Sequence, residues 1–142
     1  MIVVDTMTLA YGVLPHPDFE QEVDRLRQQE DRWVAPPLWR SELRNTVMQY
    51  IRSDDPTIVR SDLTLADAFQ VMDHAEQWMQ TREVLSRDVL SIADATNCTP
   101  YDAEYMALAE RLDVPLVTYD RAILRAMPDR AVRPREFGRG EV

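Results

Sequence analysis

Short apolar runs set between helical segments constrain this chain more than any other feature. Ile2-Val3-Val4 is β-branched and stops at Asp5, Trp33-Val34-Ala35 is closed by Pro36-Pro37, and Val114-Pro115-Leu116-Val117-Thr118 leads to Asp120. Runs this short, bounded by breakers, read as buried strands. Between them apolar residues recur at helical spacing. The pattern predicts helices over 17–30, 38–51, 64–80, 86–96 and 99–112, and a short one after Asp120 that ends near Pro128. Val132 is read as the start of a final edge strand, and Asp54-Asp55-Pro56 as the break after 51. Thr99, Pro100 and Asp102 look like the N-cap, N1 and N3 positions of a capping box. Strands alternating with helices fold as a parallel sheet covered on both faces. The expected architecture is a three-layer α/β/α protein with a short, mainly parallel central sheet. Ligands of such sheets bind beyond the carboxyl ends of the strands, where Asp5 and Asp120 stand.

A chain of 142 residues suits one domain, 1–142, with a core that needs no disulfide. Cys98 is the single cysteine, so no intrachain bridge forms. Met1 to Asp5 lacks a basic leader pattern, and no stretch is long and apolar enough to span a bilayer. The expected location is the cytoplasm, which makes Asn97-Cys98-Thr99 a chance match to the glycosylation pattern. The net charge of -9 argues at first against a nucleic-acid partner. Two features weaken that objection. Acids gathered around cations are locally neutralised. The charge is also uneven: Asp54, Asp55, Asp62, Asp67, Asp73 and Glu76 face a lone Arg60, whereas Arg121, Arg125, Arg130, Arg133, Arg135 and Arg139 outnumber Asp129, Glu136 and Glu141.

Four acids stand out, and each also has a plainer role. Asp5 and Asp120 suit helix caps, Asp102 suits the capping box, and Glu42 suits a surface pair with an arginine. Their combination is harder to explain that way. Glu42 flanks the stripe Trp39, Leu43, Val47 and Tyr50, Asp102 flanks Tyr105, Leu108 and Leu112, and Thr118 shares a strand side with Asp120. Two strand-end acids and two on helix flanks can converge at one end of the sheet. Their mutual repulsion would force protonation unless a divalent cation relieved it, and magnesium-like cations favour carboxylate oxygens.

These blocks resemble the PIN-domain ribonucleases, and among them the VapC-type toxins of toxin–antitoxin pairs. The resemblance rests on Ile2-Val3-Val4-Asp5-Thr6, Pro37-Leu38 with Glu42 and Asn45, Tyr101-Asp102-Ala103 with Leu108-Ala109-Glu110, and Pro115-Leu116-Val117-Thr118-Tyr119-Asp120. It spans nearly the whole chain, with only a pattern match over about 54–98. It implies hydrolysis of RNA phosphodiesters with Mg²⁺ or Mn²⁺ held by Asp5, Glu42, Asp102 and Asp120. Asp5 and Asp102 are the foremost ligands, and Thr118 orients a carboxylate by hydrogen bond. It also implies a homodimer, and an antitoxin whose hydrophobic helix lies in a groove between helices. Trp33, Trp39, Trp78, Met72 and Met79 are more apolar surface than so small a core requires.

Other chemistries fit worse. His16 and His74 have no second ligand at metal spacing and read as solvent-facing, and nothing local supports a Cys98–His74 nucleophilic pair. With three glycines there is no phosphate-cradling loop, and no G-x-S-x-G occurs. All 16 basic residues are arginines. Receiver domains and haloacid-dehalogenase-like phosphatases, which share an Asp after the first strand, use a site lysine and are set aside. The remaining alternative is a catalytically inactive PIN-like binding or assembly module.

Overall fold

The computed structural model describes residues 1–53 and 63–139. The expected break at Asp54-Asp55-Pro56, the charges at Asp54, Asp55, Arg60 and Asp62, and Glu141 lie outside the described residues. At the centre is β1 (Ile2–Val4), flanked by β2 (Trp33–Ala35) and β4 (Leu116–Val117). β3 (Met79–Thr81) and β5 (Ala131–Val132) form the edges, giving the order β3-β2-β1-β4-β5. Every pairing is parallel, with Ile2 opposite Trp33 and Val3 opposite Leu116. The residues of β1, β2 and β4 are all buried, which is why these strands read as continuous apolar runs rather than alternating ones.

Among the described residues, seven α-helices supply the crossovers: α1 (Thr6–Val13), α2 (Glu20–Gln29), α3 (Leu38–Arg52), α4 (Leu65–Trp78), α5 (Ser86–Thr96), α6 (Pro100–Leu112) and α7 (Arg121–Ala126). α1 packs against α2, α3 and α4, while α6 lies on β1 and carries α5. Gly12 permits the first of these meetings. A Cβ there would stand 2.7 Å from a ring carbon of Trp78 and 3.0 Å from Val23, so any larger residue pushes α1 away from its neighbours.

Most element boundaries follow the sequence reading closely, and the departures have physical causes. β3 was not expected, because Met79 continues the helical spacing of 64–80. The helix ends at Trp78, and Met79, Gln80 and Thr81 pair instead with Trp33, Val34 and Ala35. Thr99 caps α6 with Pro100 at N1 and Asp102 at N3, as expected, although the complete capping box is found at another helix. Thr99 Oγ1 accepts the Asp102 N–H at 3.1 Å, and the reciprocal box is at the start of α4, between Thr64 and Asp67. The aromatic excess is largely absorbed by the core: Trp33 and Trp39 are fully buried, with Met79 nearly so. Trp78 stands edge-on to Trp33 under the guanidinium of Arg27. Among the described residues, the large apolar side chains that stay exposed are Met7, Leu65, Phe69, Leu85, Leu90 and Tyr101. No described helix is long and apolar enough to cross a membrane.

Candidate active site

Beyond the carboxyl ends of β1 and β4 lies a cavity of about 240 Å³, lined by Asp5, Thr6, Met7, Tyr11, Glu42, Asp102, Tyr105, Tyr119 and Asp120. The four acids singled out from the sequence therefore line one space, and they reach it from four different elements. Asp5 is the N-cap of α1, Glu42 lies in the second turn of α3, Asp102 in the first turn of α6, and Asp120 is the N-cap of α7.

The two strand-end acids do cap helices, and they line the cavity as well. Asp5 is buried. Its Oδ1 accepts the Thr8 N–H at 3.0 Å and the Thr8 hydroxyl at 2.7 Å, while its Oδ2 accepts the Thr118 hydroxyl. Thr118 Oγ1 in turn accepts the Asp120 N–H at 2.9 Å, so one fully buried hydroxyl ties the two strand ends together. Asp120 uses a single oxygen, Oδ1, to accept from the N–H groups of Ala122 and Ile123 at 2.8 and 3.1 Å. Burial raises the Asp5 carboxyl above the ordinary carboxylate range, the bonds from Thr118 and Thr8 oppose that, and the charge of Asp120 adds to it.

The helix-flank acids are held differently. Glu42 Oε1 accepts the Thr6 hydroxyl at 2.9 Å and the Tyr105 hydroxyl at 2.5 Å, and the two hydroxyls stand 2.7 Å apart. This buried network, rather than a surface pair with an arginine, is the environment of Glu42. Burial and the Glu42 charge hold the Tyr105 phenol neutral, as the donor in that network. Asp102 has weaker support. Burial raises its carboxyl most, followed by the charges of Asp120, Glu42 and Asp5, against one lowering hydrogen bond from Thr99. It senses all three of the other acids.

Sequence reasoning did not single out Thr6, Thr8, Tyr11, Tyr105 and Tyr119 as parts of the site. The only available signal was local: threonines one and three residues after a strand-end Asp suit a helix start. His16 also departs from its reading. Rather than facing solvent, it packs edge-on against Tyr11 and beside Phe19, whereas His74 is exposed against Trp78. Arg130 is structural, bonding the Val114 carbonyl and Asp113, and Arg133 pairs with Glu136. The expected basic edge is reduced by both.

Among the described residues, no three Asp, Glu, His or Cys side chains are already gathered as a metal cage. The donor set nevertheless fits a hard divalent cation. It is made of carboxylates, it is partly buried, and burial together with neighbouring charge raises the proton affinity of Asp5 and Asp102, a conflict that a cation would relieve.

An all-parallel α/β protein with an acid-lined cleft at its strand ends is the class that fold and cavity define. Residues 2–128 match the PIN domain family, and the chain belongs to it. Membership of that family points to a nuclease. Among solved structures, the chain is similar to the crystal structure of PAE2754 from Pyrobaculum aerophilum, at 22% identity and a TM-score of 0.72, over 94% of this chain and 88% of the other. At that identity the likeness speaks for the fold alone. A comparison with curated protein sequences finds no match.

Proposed function

We propose that this PIN-domain protein is a single-domain Mg²⁺- or Mn²⁺-dependent endoribonuclease, and the toxin of a toxin–antitoxin pair. The observation that carries the reading is the convergence of Asp5, Glu42, Asp102 and Asp120 on one cavity at the strand ends. Asp5 and Asp102 would be the principal metal ligands, with Glu42 and Asp120 completing the shell directly or through water. The bound cation would lower the pKa of the attacking water and neutralise charge on the scissile phosphate. The chain's own contribution is placement. Thr118 and Thr8 fix both oxygens of Asp5, and Thr6 and Tyr105 fix Glu42. Asp102, already raised by burial, also lies in the field of the other three acids, and an arriving cation would relieve that repulsion.

The antitoxin would cover exposed apolar side chains of α4, where Leu65 and Phe69 are 58% and 61% exposed. A homodimer would draw on a second exposed group, Leu90 and Tyr101, which line one cavity. Cleavage of a structured RNA pool by purified protein, with Mg²⁺ or Mn²⁺ and then with EDTA, tests the activity. Metal-dependent cleavage that is lost in Asp5→Asn is the expected result. No cleavage by folded, partner-free protein is the result that favours the inactive binding module.

A further inference from the structure

We infer that Tyr11 and Tyr119 form a nucleobase-stacking wall, which seats the unpaired base of a nucleotide next to the scissile phosphate. The inference rests on the nuclease reading above and assigns the substrate-binding element of that same cavity. Both tyrosines line the cavity together with the four acids. They also belong to a cluster of four rings. Tyr11 stacks on Phe19 at 4.6 Å and 27°, and meets His16 at 4.8 Å and Tyr119 at 5.3 Å, each edge-on. Phe19 closes the group against Tyr119 at 4.9 Å. Phe19 and His16 are not among the cavity's lining residues, so they brace the two tyrosines from outside it. The Tyr119 hydroxyl donates to Glu22 Oε1 at 3.1 Å, which anchors the far end of that ring.

Charge explains why such a wall is needed. The net charge is -9, and none of the described residues lining the cavity is basic. Arg27, Arg40 and Arg130 are engaged with Trp78, Glu76 and Asp113 respectively. No lysine or arginine side chain, the usual source of nucleic-acid affinity through phosphates, therefore lines the cavity itself. Stacking of bases on aromatic rings is the main alternative source. It acts on unpaired nucleotides, because a base inside a duplex has no free face. The ring positions suit that task. Tyr119 lies between Thr118 and Asp120, and Tyr11 lies on the helix that Asp5 caps, so a base held there has its phosphate beside the acids.

The test is a cleavage experiment on short single-stranded RNA that contains a mapped scissile bond, with abasic residues placed in turn on either side of it. In the wild type, one abasic position is expected to raise KM about tenfold or more, with a smaller change in kcat. Tyr11→Leu and Tyr119→Leu should show that loss on intact RNA and little further loss on the abasic substrate, because the interaction is already gone. Tyr11→Phe should keep the wild-type KM. Equal losses on intact and abasic RNA would assign the rings a purely structural role and overturn the inference. So would a wild type that is insensitive to abasic substitution; the nuclease reading would survive either result. A wild type that cleaves no RNA would overturn both.

Discussion

The two sides of the acidic cavity are built on different principles. On the strand-end side, Asp5 and Asp120 are helix caps first; both oxygens of Asp5 are tied down by Thr8 and Thr118, and Oδ1 of Asp120 by backbone N–H groups. On the helix-flank side, Glu42 is held by two hydroxyls, while Asp102 meets mainly burial and repulsion. The contrast teaches that an acid can serve structure and site at once when it ends a strand and starts a helix. Asp102, on a helix flank with a single lowering hydrogen bond, lacks such support and is a net cost until something positive arrives.

The largest effect that would sharpen this contrast is on cleavage. Asp5→Asn and Asp102→Asn should each reduce it beyond the roughly 10–100-fold typical of losing an outer hydrogen-bond partner of a metal ligand. Single-turnover kinetics with saturating Mn²⁺ checks this. Thr118→Val should fall within that roughly 10–100-fold range, because it leaves Asp5 in place but frees its Oδ2. A Thr118→Val enzyme as active as wild type would show that the strand-end tie is structural only.

Stability should separate the two sides with opposite signs. Asp120→Ala removes the cap of α7 and should cost about 1 kcal/mol in urea titration. Asp102→Asn in EDTA should instead be stabilising at neutral pH. The folded state raises the Asp102 carboxyl, so stability present below its unfolded value is lost as pH rises through the folded one. The wild type should therefore lose stability through that window, and Asp102→Asn should lose less of it. Equal profiles would break the comparison.

Away from the cavity, Gly12→Ala measures packing. The gain in helix propensity, about 1 kcal/mol, is outweighed by the clash with Trp78 and Val23, so thermal unfolding should shift down by about 1–2 kcal/mol. The smallest effect is at Arg40–Glu76, whose side chains are 35% and 44% exposed. Arg40 lowers the Glu76 carboxyl, so its contribution is present above the unfolded value and lost as pH falls through the folded one. Screening limits it to about 1 kcal/mol at most, readable as a Glu76→Gln difference that disappears in acid or high salt.

How much was legible beforehand follows from how local each signal is. β1, β2 and α5 were readable because composition and breakers coincide within a few residues, as at Trp33-Val34-Ala35 before Pro36-Pro37. β3 was not, because its reason for being a strand is the edge of β2, more than forty residues earlier in the chain. The acids were legible by position, two at strand ends and two beside apolar stripes. Their partners were not. Thr6 meets Tyr105, and Thr118 meets Asp5, only once the sheet has brought sequence-distant elements together. Threonines and tyrosines have ordinary roles throughout a chain, so nothing in the composition marks Thr6, Tyr11 or Tyr119.

Titration of Mn²⁺ into the protein at neutral pH, followed calorimetrically for wild type and Asp102→Asn, tests the central claim most directly. Saturable uptake by the wild type, weakened at least tenfold in the variant, is the result expected if the cavity is a metal-dependent site. Equal binding by both, or no saturable binding to the folded wild type, would contradict it.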